Sequence, residues 1–307
     1  MRVIRPVILD TDIGTDIDDT WALAMLLASP ELDLRLVTCV SGDVRYRAGL
    51  CAGLLSVAGR RDVPIGLGIG GALKLPDILQ GTPQIEFAGA QALVGYPQVQ
   101  DDGVDAIIEL IMASTEQVTI IAIGPLTNIA EALRRRPEIT QRATLVGMHG
   151  SVRVGYRGVA TPSAEYNVFA DVAAAQVALS APWEKLITPL DSCGNVVLKE
   201  GAYRRFHEFA TDHPGSMAAA VLENYRLWLK ALGAPEDRLT ERSTTLYDTV
   251  AIYLAIETEW LQMETLPIRV DDAGFTLAQF DGALMQVATG WRDYDRFEQL
   301  LLDRLCW

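Results

Sequence analysis

The chain alternates two kinds of apolar segment. Short runs rich in β-branched residues are VIRPVILD (3–10), LRLVTCVSG (34–42), VPIGLGI (63–69), VTIIAIG (118–124), TLVGMHG (144–150) and KLITPLD (185–191). Between them lie Ala- and Leu-rich stretches at helical spacing, WALAMLLA, AGLCAGLLSVAG, VDAIIELIMAS, TNIAEALRRR and DVAAAQVALSA. Strands that are apolar almost throughout are buried on both faces. The alternation therefore predicts a doubly wound α/β fold, a mainly parallel sheet with helices on both faces. From about 199 to 258 the pattern is helical throughout, and LPIRVDD, GFTLAQF and ALMQVATG then read as short antiparallel or edge strands. DYDRFEQLLLDRL closes the chain as a helix, with Asp293 placed to cap it. No linker-like tract or repeat interrupts this order. Residues 1–307 are thus expected to form one α/β domain, with 199–258 a helical excursion that makes one wall of a pocket.

Ligands of such a sheet bind beyond the carboxyl ends of its strands. The residues there are polar: Asp10 and Asp12, Gly42-Asp43, Gly124-Pro125, Met148-His149-Gly150 and Asp191. The densest group is DTDIGTDIDD (10–19), in which Asp10, Asp12, Asp16, Asp18 and Asp19 crowd the junction of an apolar strand and an apolar helix. Capping of that helix accounts for one or two of them. The others cannot all stay ionised within a few ångströms unless a cation compensates them.

Charge and composition narrow the partners. With 26 basic and 40 acidic residues the net charge is −14, which repels phosphate backbones and anionic headgroups, so nucleic-acid polymers and membrane surfaces are not expected partners. Cys39, Cys51, Cys193 and Cys306 form no CxxC pair, as expected of reduced thiols. MRVIRPVILD regains charge too soon for a signal peptide, and no apolar run reaches the ~18 residues of a membrane span, so a cytoplasmic location is expected.

Two hard-cation chemistries use DxD after a strand. Phosphotransferases of the haloacid-dehalogenase type read DxDGT, whereas DTDIGT is one residue longer and has no evident downstream lysine and acidic pair. The other is attack of metal-activated water on a sugar carbon. DTDIGTDIDD resembles the DxDPGxDD signature of the inosine–uridine nucleoside hydrolases, with two extra residues before the final DD. AIGPLTNIAEAL (122–133) is similar to that family's GPLTN segment, AEYNVFADVAAA (164–175) to AEFNxxxDPEAA, and LYDTVAIYLA (246–255) to LHDPLA.

The resemblance implies Ca²⁺-dependent hydrolysis of the N-glycosidic bond of ribonucleosides by a homodimer or homotetramer. It implies that Asp12 contacts the metal and takes a proton from the attacking water, and that Asp19, Asp248 and the carbonyl of Ile123 complete the protein ligands. Asp18 and Asn167 are implied to hold ribose hydroxyls and Glu165 the 5′-hydroxyl, with Asp43 and Met148 facing the same sugar. Asp10 is expected to orient the loop or Asp12. The chain departs from the pattern where the leaving base would be protonated. Tyr247 stands in place of the family's histidine, and His149, in place of a glycine, is a substitute candidate for the acid. Val159 replaces an asparagine of the 5′ contact, while Trp21, Tyr225 and Trp228 read as core. These departures keep other readings open: a modified or non-standard ribosyl substrate, a Mg²⁺-dependent phosphatase, or a ribose-binding protein without turnover.

Overall fold

The computed structural model describes residues 4–71, 81–87, 93–235 and 237–307. Its centre is one sheet of ten strands: β1 (Arg5–Thr11), β2 (Leu32–Cys39), β3 (Ile65–Leu67), β4 (Val99–Gln100), β5 (Val118–Ala122), β6 (Ala143–Gly147), β7 (Lys185–Ile187), β8 (Leu261–Val270), β9 (Thr276–Ala278) and β10 (Ala283–Trp291). Their spatial order is β4-β3-β2-β1-β5-β6-β7-β10-β8-β9. Strands β1 to β7 pair only in parallel, as the apolar runs predict. The C-terminal strands make the sheet mixed, since β10 runs parallel to β7 and antiparallel to β8, and β9 is antiparallel to β8. The expected first strand begins at residue 3, which lies outside the described residues. Strand β4, two residues long, carries no periodic signal and was not anticipated.

Alternation along each central strand divides the core. Val7 and Leu9 of β1 face one apolar layer and Ile8 the other; on β6, Val146 and Leu145 divide the same way. Helices α1 (Asp18–Leu27) and α2 (Val44–Val57) cover the first face. Helices α3 (Gly103–Ala113), α4 (Thr127–Arg135) and α6 (Val172–Ser180) cover the second, with the short α5 (Tyr166–Ala170) leading into α6. A four-residue turn, α7 (Leu190–Cys193), follows β7. The helical excursion supplies α8 (Glu200–Asp212), α9 (Met217–Ala231), the short α10 (Arg238–Glu241) and α11 (Tyr247–Ile256). The closing helix α12 (Tyr294–Leu305) is capped by Asp293, whose carboxylate accepts the amide of Arg296.

Beyond its first turn, helix α1 is apolar on every side because it is enclosed by other elements. It packs against β2, α9, α11 and α12, and Trp21 lies at 0 % exposure with its ring 4.5 Å from that of Phe206. Trp21 and Tyr225 are therefore core residues, as their spacing predicts.

The chain builds outward from β1 through β2, β3 and β4, then returns to the other side of β1 with β5, β6 and β7. Strands β1 and β5 are thus neighbours from which the chain leaves in opposite directions, and their carboxyl ends open a crevice. The aspartate loop follows β1, and Ile123 and Gly124 follow β5, so both reach that crevice. No helix among the described residues is long and apolar enough to cross a membrane.

Candidate active site

The crevice holds a cavity of about 340 Å³. Asp12, Asp16, Asp18, Asp19, Glu165 and Asp248 line it, together with Ile123, Met148 and Asn167. Thr15, Tyr156, Ala164, Tyr166, Phe169 and Tyr247 complete the wall. Most of the residues singled out from sequence thus come together, although they sit on five separate segments.

The aspartate loop is held from behind. Gly14 takes φ +102°, and a side chain there would collide with Leu50 and Tyr46, so the tight turn requires glycine. The Tyr46 hydroxyl donates to the Gly14 carbonyl at 3.2 Å, and the Trp228 indole donates to that of Thr15 at 3.0 Å. Trp228 is therefore a core residue that also fixes the loop. Arg47, 1 % exposed, donates through Nη1 to the carbonyls of Asp12 and, at 2.8 Å, Ile13, and through Nε to that of Ser41 at 2.8 Å. A guanidinium spends its donors on backbone that would otherwise be buried without partners.

Asp10 turns away from the cavity. Its Oδ1 accepts the Thr38 hydroxyl at 2.5 Å and the Asn128 amide at 2.7 Å, and Asn128 in turn accepts the amide of Ile69. Burial lifts the Asp10 carboxyl to about 7 despite these bonds. It ties β1 to β2 and to the first turn of α4. Gly124 has the complementary role: a Cβ there would come within 2.9 Å of the Asp12 amide and carboxylate, so only glycine lets the end of β5 approach this closely.

Asp18 and Asp19 occupy the first turn of α1, and Asp248 the first turn of α11. Neither Asp18 nor Asp19 caps α1; position 17, an isoleucine, precedes it without a side-chain bond. Asp19 accepts the Thr11 hydroxyl, and Asp18 accepts the Asp248 amide at 3.3 Å. Asp18, Asp19 and Asp248 each place a carboxylate oxygen within 4.8 Å of the other two, and all three are buried. At an effective dielectric constant of about 20, each pair of full charges so placed repels by about 3 to 4 kcal/mol. Burial first, and then the neighbouring aspartates, push all three well above the usual carboxylate range. Asp12 rises to about 6 for the same first reason, held down by the Arg47 charge.

Carboxylates that face one another at this cost suit a divalent cation, and an oxygen-only donor set suits a hard one. The tightest trio contains Asp18 rather than Asp12, which lines the same cavity beside it. The Ile123 carbonyl also reaches the cavity and accepts the Asn167 amide at 3.1 Å.

Glu165 caps α5. Its Oε1 accepts the amide of Asn167 at 2.7 Å, and its Oε2 those of Gly150 at 2.8 Å and Val168 at 3.3 Å. Burial raises it to about 7 against the pull of those bonds. Asn167 donates to the carbonyls of Ile123 and Met148, both at 3.1 Å, which joins the ends of β5 and β6.

Two expectations, for His149 and Asp43, are not met by this geometry. His149 lies at 0 % exposure beneath the cavity, its Nε2 bonded to the Gly124 carbonyl at 3.1 Å, and burial depresses it to about 4. It does not line the cavity and is neutral at physiological pH, so it is not placed to protonate a base. Asp43 caps α2, accepting the amides of Arg45 and Tyr46 at 3.0 and 3.1 Å, and is exposed outside the cavity. Val159 is exposed and does not line it. Asp191 accepts the amides of Val152 and Arg153 and serves that turn. Asp16, in the two-residue insertion, is exposed at the cavity rim and accepts the amide of Ile17.

Sequence reasoning missed Thr15, Tyr156, Tyr166 and Phe169. Tyr166 lay between two residues already singled out. Tyr156 sits in an irregular turn, where periodicity gives no signal, its hydroxyl accepting the Tyr166 amide at 2.9 Å. Its ring meets that of Tyr247 edge-on at 6.3 Å. Among the described residues no lysine or arginine lines the cavity.

The chain is similar to known proteins over nearly its whole length. It is 30 % identical over 292 residues to the non-specific ribonucleoside hydrolase RihC of Shigella boydii, covering 91 % of this chain and 90 % of that one. The corresponding Escherichia coli protein matches at 30 % identity over 292 residues. Among solved structures, the purine-preferring ribonucleoside hydrolase from Gardnerella vaginalis superposes with a TM-score of 0.78 at 22 % identity, covering 98 % of each chain. The plant nucleoside hydrolase PpNRh1 gives a TM-score of 0.75 at 24 % identity, covering 98 % of this chain and 99 % of that one. The model of the inosine-uridine preferring nucleoside hydrolases matches residues 7–298. A chain whose parallel sheet opens between β1 and β5 onto this carboxylate cavity belongs to the inosine-uridine preferring nucleoside hydrolase family, whose members are N-glycosidases.

Proposed function

We propose that the protein hydrolyses the N-glycosidic bond of ribonucleosides to ribose and free base, with Ca²⁺ as cofactor and Asp12 as general base. The observation that carries this is the buried trio Asp18, Asp19 and Asp248 beside Asp12 at the mouth of β1 and β5. Asp12, Asp19, Asp248 and the carbonyl of Ile123 would hold the ion, with Asp18 close enough to share in it. Carboxylate and carbonyl oxygens in this number favour Ca²⁺ over softer metals. When bound, the ion would supply Lewis acidity that makes a water molecule easier to deprotonate.

The chain's own residues do the rest. Asp12 receives the proton of the attacking water; its position is fixed through Arg47 and through the approach that Gly124 permits. Asp18 and Asn167 hold the 2′- and 3′-hydroxyls, which fixes the ring for in-line attack at C1′. Glu165 receives the 5′-hydroxyl, already oriented by three backbone amides. Met148 packs against the sugar. As the C1′–N bond stretches, the carboxylates stabilise the positive charge that develops on the ring.

Asp12→Asn tests the base. It keeps the side chain's size and one oxygen, so turnover of inosine or uridine should fall by about 10³-fold or more while calorimetry still detects Ca²⁺ binding. Undiminished turnover would refute the assignment.

A further inference from the structure

Behind the wall that carries Glu165 stands a strand from the far edge of the sheet. Strand β9 is the outermost strand on that side and pairs with β8. Its first residue, Thr276, is nevertheless fully buried. The reason is a close contact with the loop that follows β6. The Thr276 hydroxyl accepts the Ser151 amide at 2.7 Å and donates to the Ser151 carbonyl at 3.0 Å. Gly150 permits this approach: it takes φ +86°, and a Cβ there would lie 2.5 Å from the Thr276 hydroxyl oxygen. One side chain thus satisfies both backbone groups of one buried residue, as a neighbouring strand would.

Ser151 is where that contact divides. The amide of Gly150, beside it, donates to Glu165 Oε2 at 2.8 Å. The Ser151 hydroxyl donates to the Val154 carbonyl at 2.7 Å and accepts the amide of Ser163, shortly before Glu165, at 2.9 Å. The Ser163 hydroxyl in turn accepts the Tyr156 amide at 3.3 Å, and the Tyr156 hydroxyl accepts that of Tyr166 at 2.9 Å. Glu165 is reached from two directions, through Gly150 and through Ser163, and both routes start at the residue that Thr276 holds. The turn that leads into β9 makes a second contact with the wall. Asp271 closes it, its Oδ1 accepting the amides of Ala273 and Phe275. Gly274 of that turn packs so closely on Phe169, which lines the cavity, that a Cβ would come within 3.2 Å of the Phe169 Cα.

We propose that Thr276 is a positioning residue for the 5′ side of the site: it fixes Ser151, and through Ser151 it sets where the Glu165 carboxyl stands. Thr276 itself does not line the cavity. This deepens the N-glycosidase reading and rests on its assignment of Glu165 to the 5′-hydroxyl. A displaced Glu165 loses its bond to that hydroxyl, while Asp12, Asp18, Asp19 and Asp248, which hang on β1, α1 and α11, stay where they are. The loss is therefore confined to substrates that have the hydroxyl.

The test compares Thr276→Val, close in shape but without the hydroxyl, and Thr276→Ser, which keeps it, with the unsubstituted full-length protein. Each is assayed with Ca²⁺ at neutral pH for release of hypoxanthine from inosine and from 5′-deoxyinosine. A hydrogen bond to a carboxylate is worth about tenfold or more, so kcat/KM of the unsubstituted protein should favour inosine by about that factor. Thr276→Val should lower kcat/KM for inosine about tenfold and change that for 5′-deoxyinosine less than about threefold, and Thr276→Ser should restore most of the preference. Equal losses on both substrates would overturn the proposal, because a residue that only stabilises the fold acts on both alike. If Thr276→Val shows no cooperative melting transition, Ser151→Ala, which cuts the route to Ser163 and keeps the contact with β9, is judged by the same ratio. If the unsubstituted protein takes both substrates equally well, the assignment of Glu165 to the 5′-hydroxyl fails and the proposal with it. If it favours inosine and the variant keeps that preference in full, the assignment stands and only the role of Thr276 falls.

Discussion

The two ends of the cavity are built on different terms. At the aspartate end every catalytic candidate is attached to the core: Asp12 through Arg47, Asp19 through Thr11, Asp18 through the backbone of Asp248, Thr15 through Trp228. At the aromatic end Tyr156 lies in an irregular turn in which Arg157 takes φ +60°, and Phe169 is 41 % exposed. The first end must hold like charges together, which demands a rigid frame, because small displacements of a buried charge are costly. The second end is assembled from a turn, a short helix and the start of α11.

The hardest blow to the first end short of its ligands is Arg47→Met. This leaves the carbonyls of Asp12, Ile13 and Ser41 without their buried donor, and each unmade bond costs about 1 to 3 kcal/mol. Denaturant unfolding should show a loss of about 3 kcal/mol or more, and kcat should fall further than KM rises. Stability and kcat within error of the unsubstituted protein would mean that the loop holds itself.

His149 distinguishes scaffold from wall through pH. Its folded pKa of about 4 lies below the ordinary 6.5, so between those values the unfolded chain binds a proton that the folded one does not. Stability from this residue is therefore present above pH 6.5 and is lost as pH falls toward 4. The buried carboxylates, whose folded values are raised, act in the opposite sense, so a matched variant is needed. Relative to His149→Asn, the unsubstituted protein should lose about 2 to 3 kcal/mol between pH 7.5 and pH 4.5. A constant gap between the two chains would place His149 in contact with solvent and return it to the candidates for the acid.

The smallest effect expected is that of Asp43→Ala. Removing an N-cap costs about 1 kcal/mol, seen as a slightly lower Tm, while kcat/KM should hold because the carboxylate faces α2 and not the sugar. A tenfold or greater drop in kcat/KM would instead restore Asp43 to the site.

The unequal anchoring also explains what could be read from residues alone. Parallel strands buried on both faces wrote themselves as continuous apolar runs, so β1, β2, β5 and β6 were legible, and with them the strand ends that carry chemistry. Asp12, Asp18 and Asp19 were legible because so many aspartates between an apolar strand and an apolar helix have few explanations, and Asp248 through the resemblance of its segment. His149 and Asp43 misled because position at a strand end does not fix direction. One points beneath the floor and the other back along its own helix. Arg47 was passed over as one more charge on a helix, since nothing local marks a guanidinium whose partners are carbonyls 34 and 35 residues away. The aromatic wall was invisible for a related reason: its members come from a turn, a short helix and the start of α11, and share no period.

The central claim is that the aspartates of the first loop and of α11 coexist because they jointly hold a divalent ion. Calorimetric titration of chelator-treated protein with Ca²⁺ at neutral pH, run beside Asp248→Ala, measures this directly. One ion per chain and a rise in Tm on binding are expected, with loss of both in the variant. No binding heat, no shift in Tm and full turnover in excess chelator would contradict it.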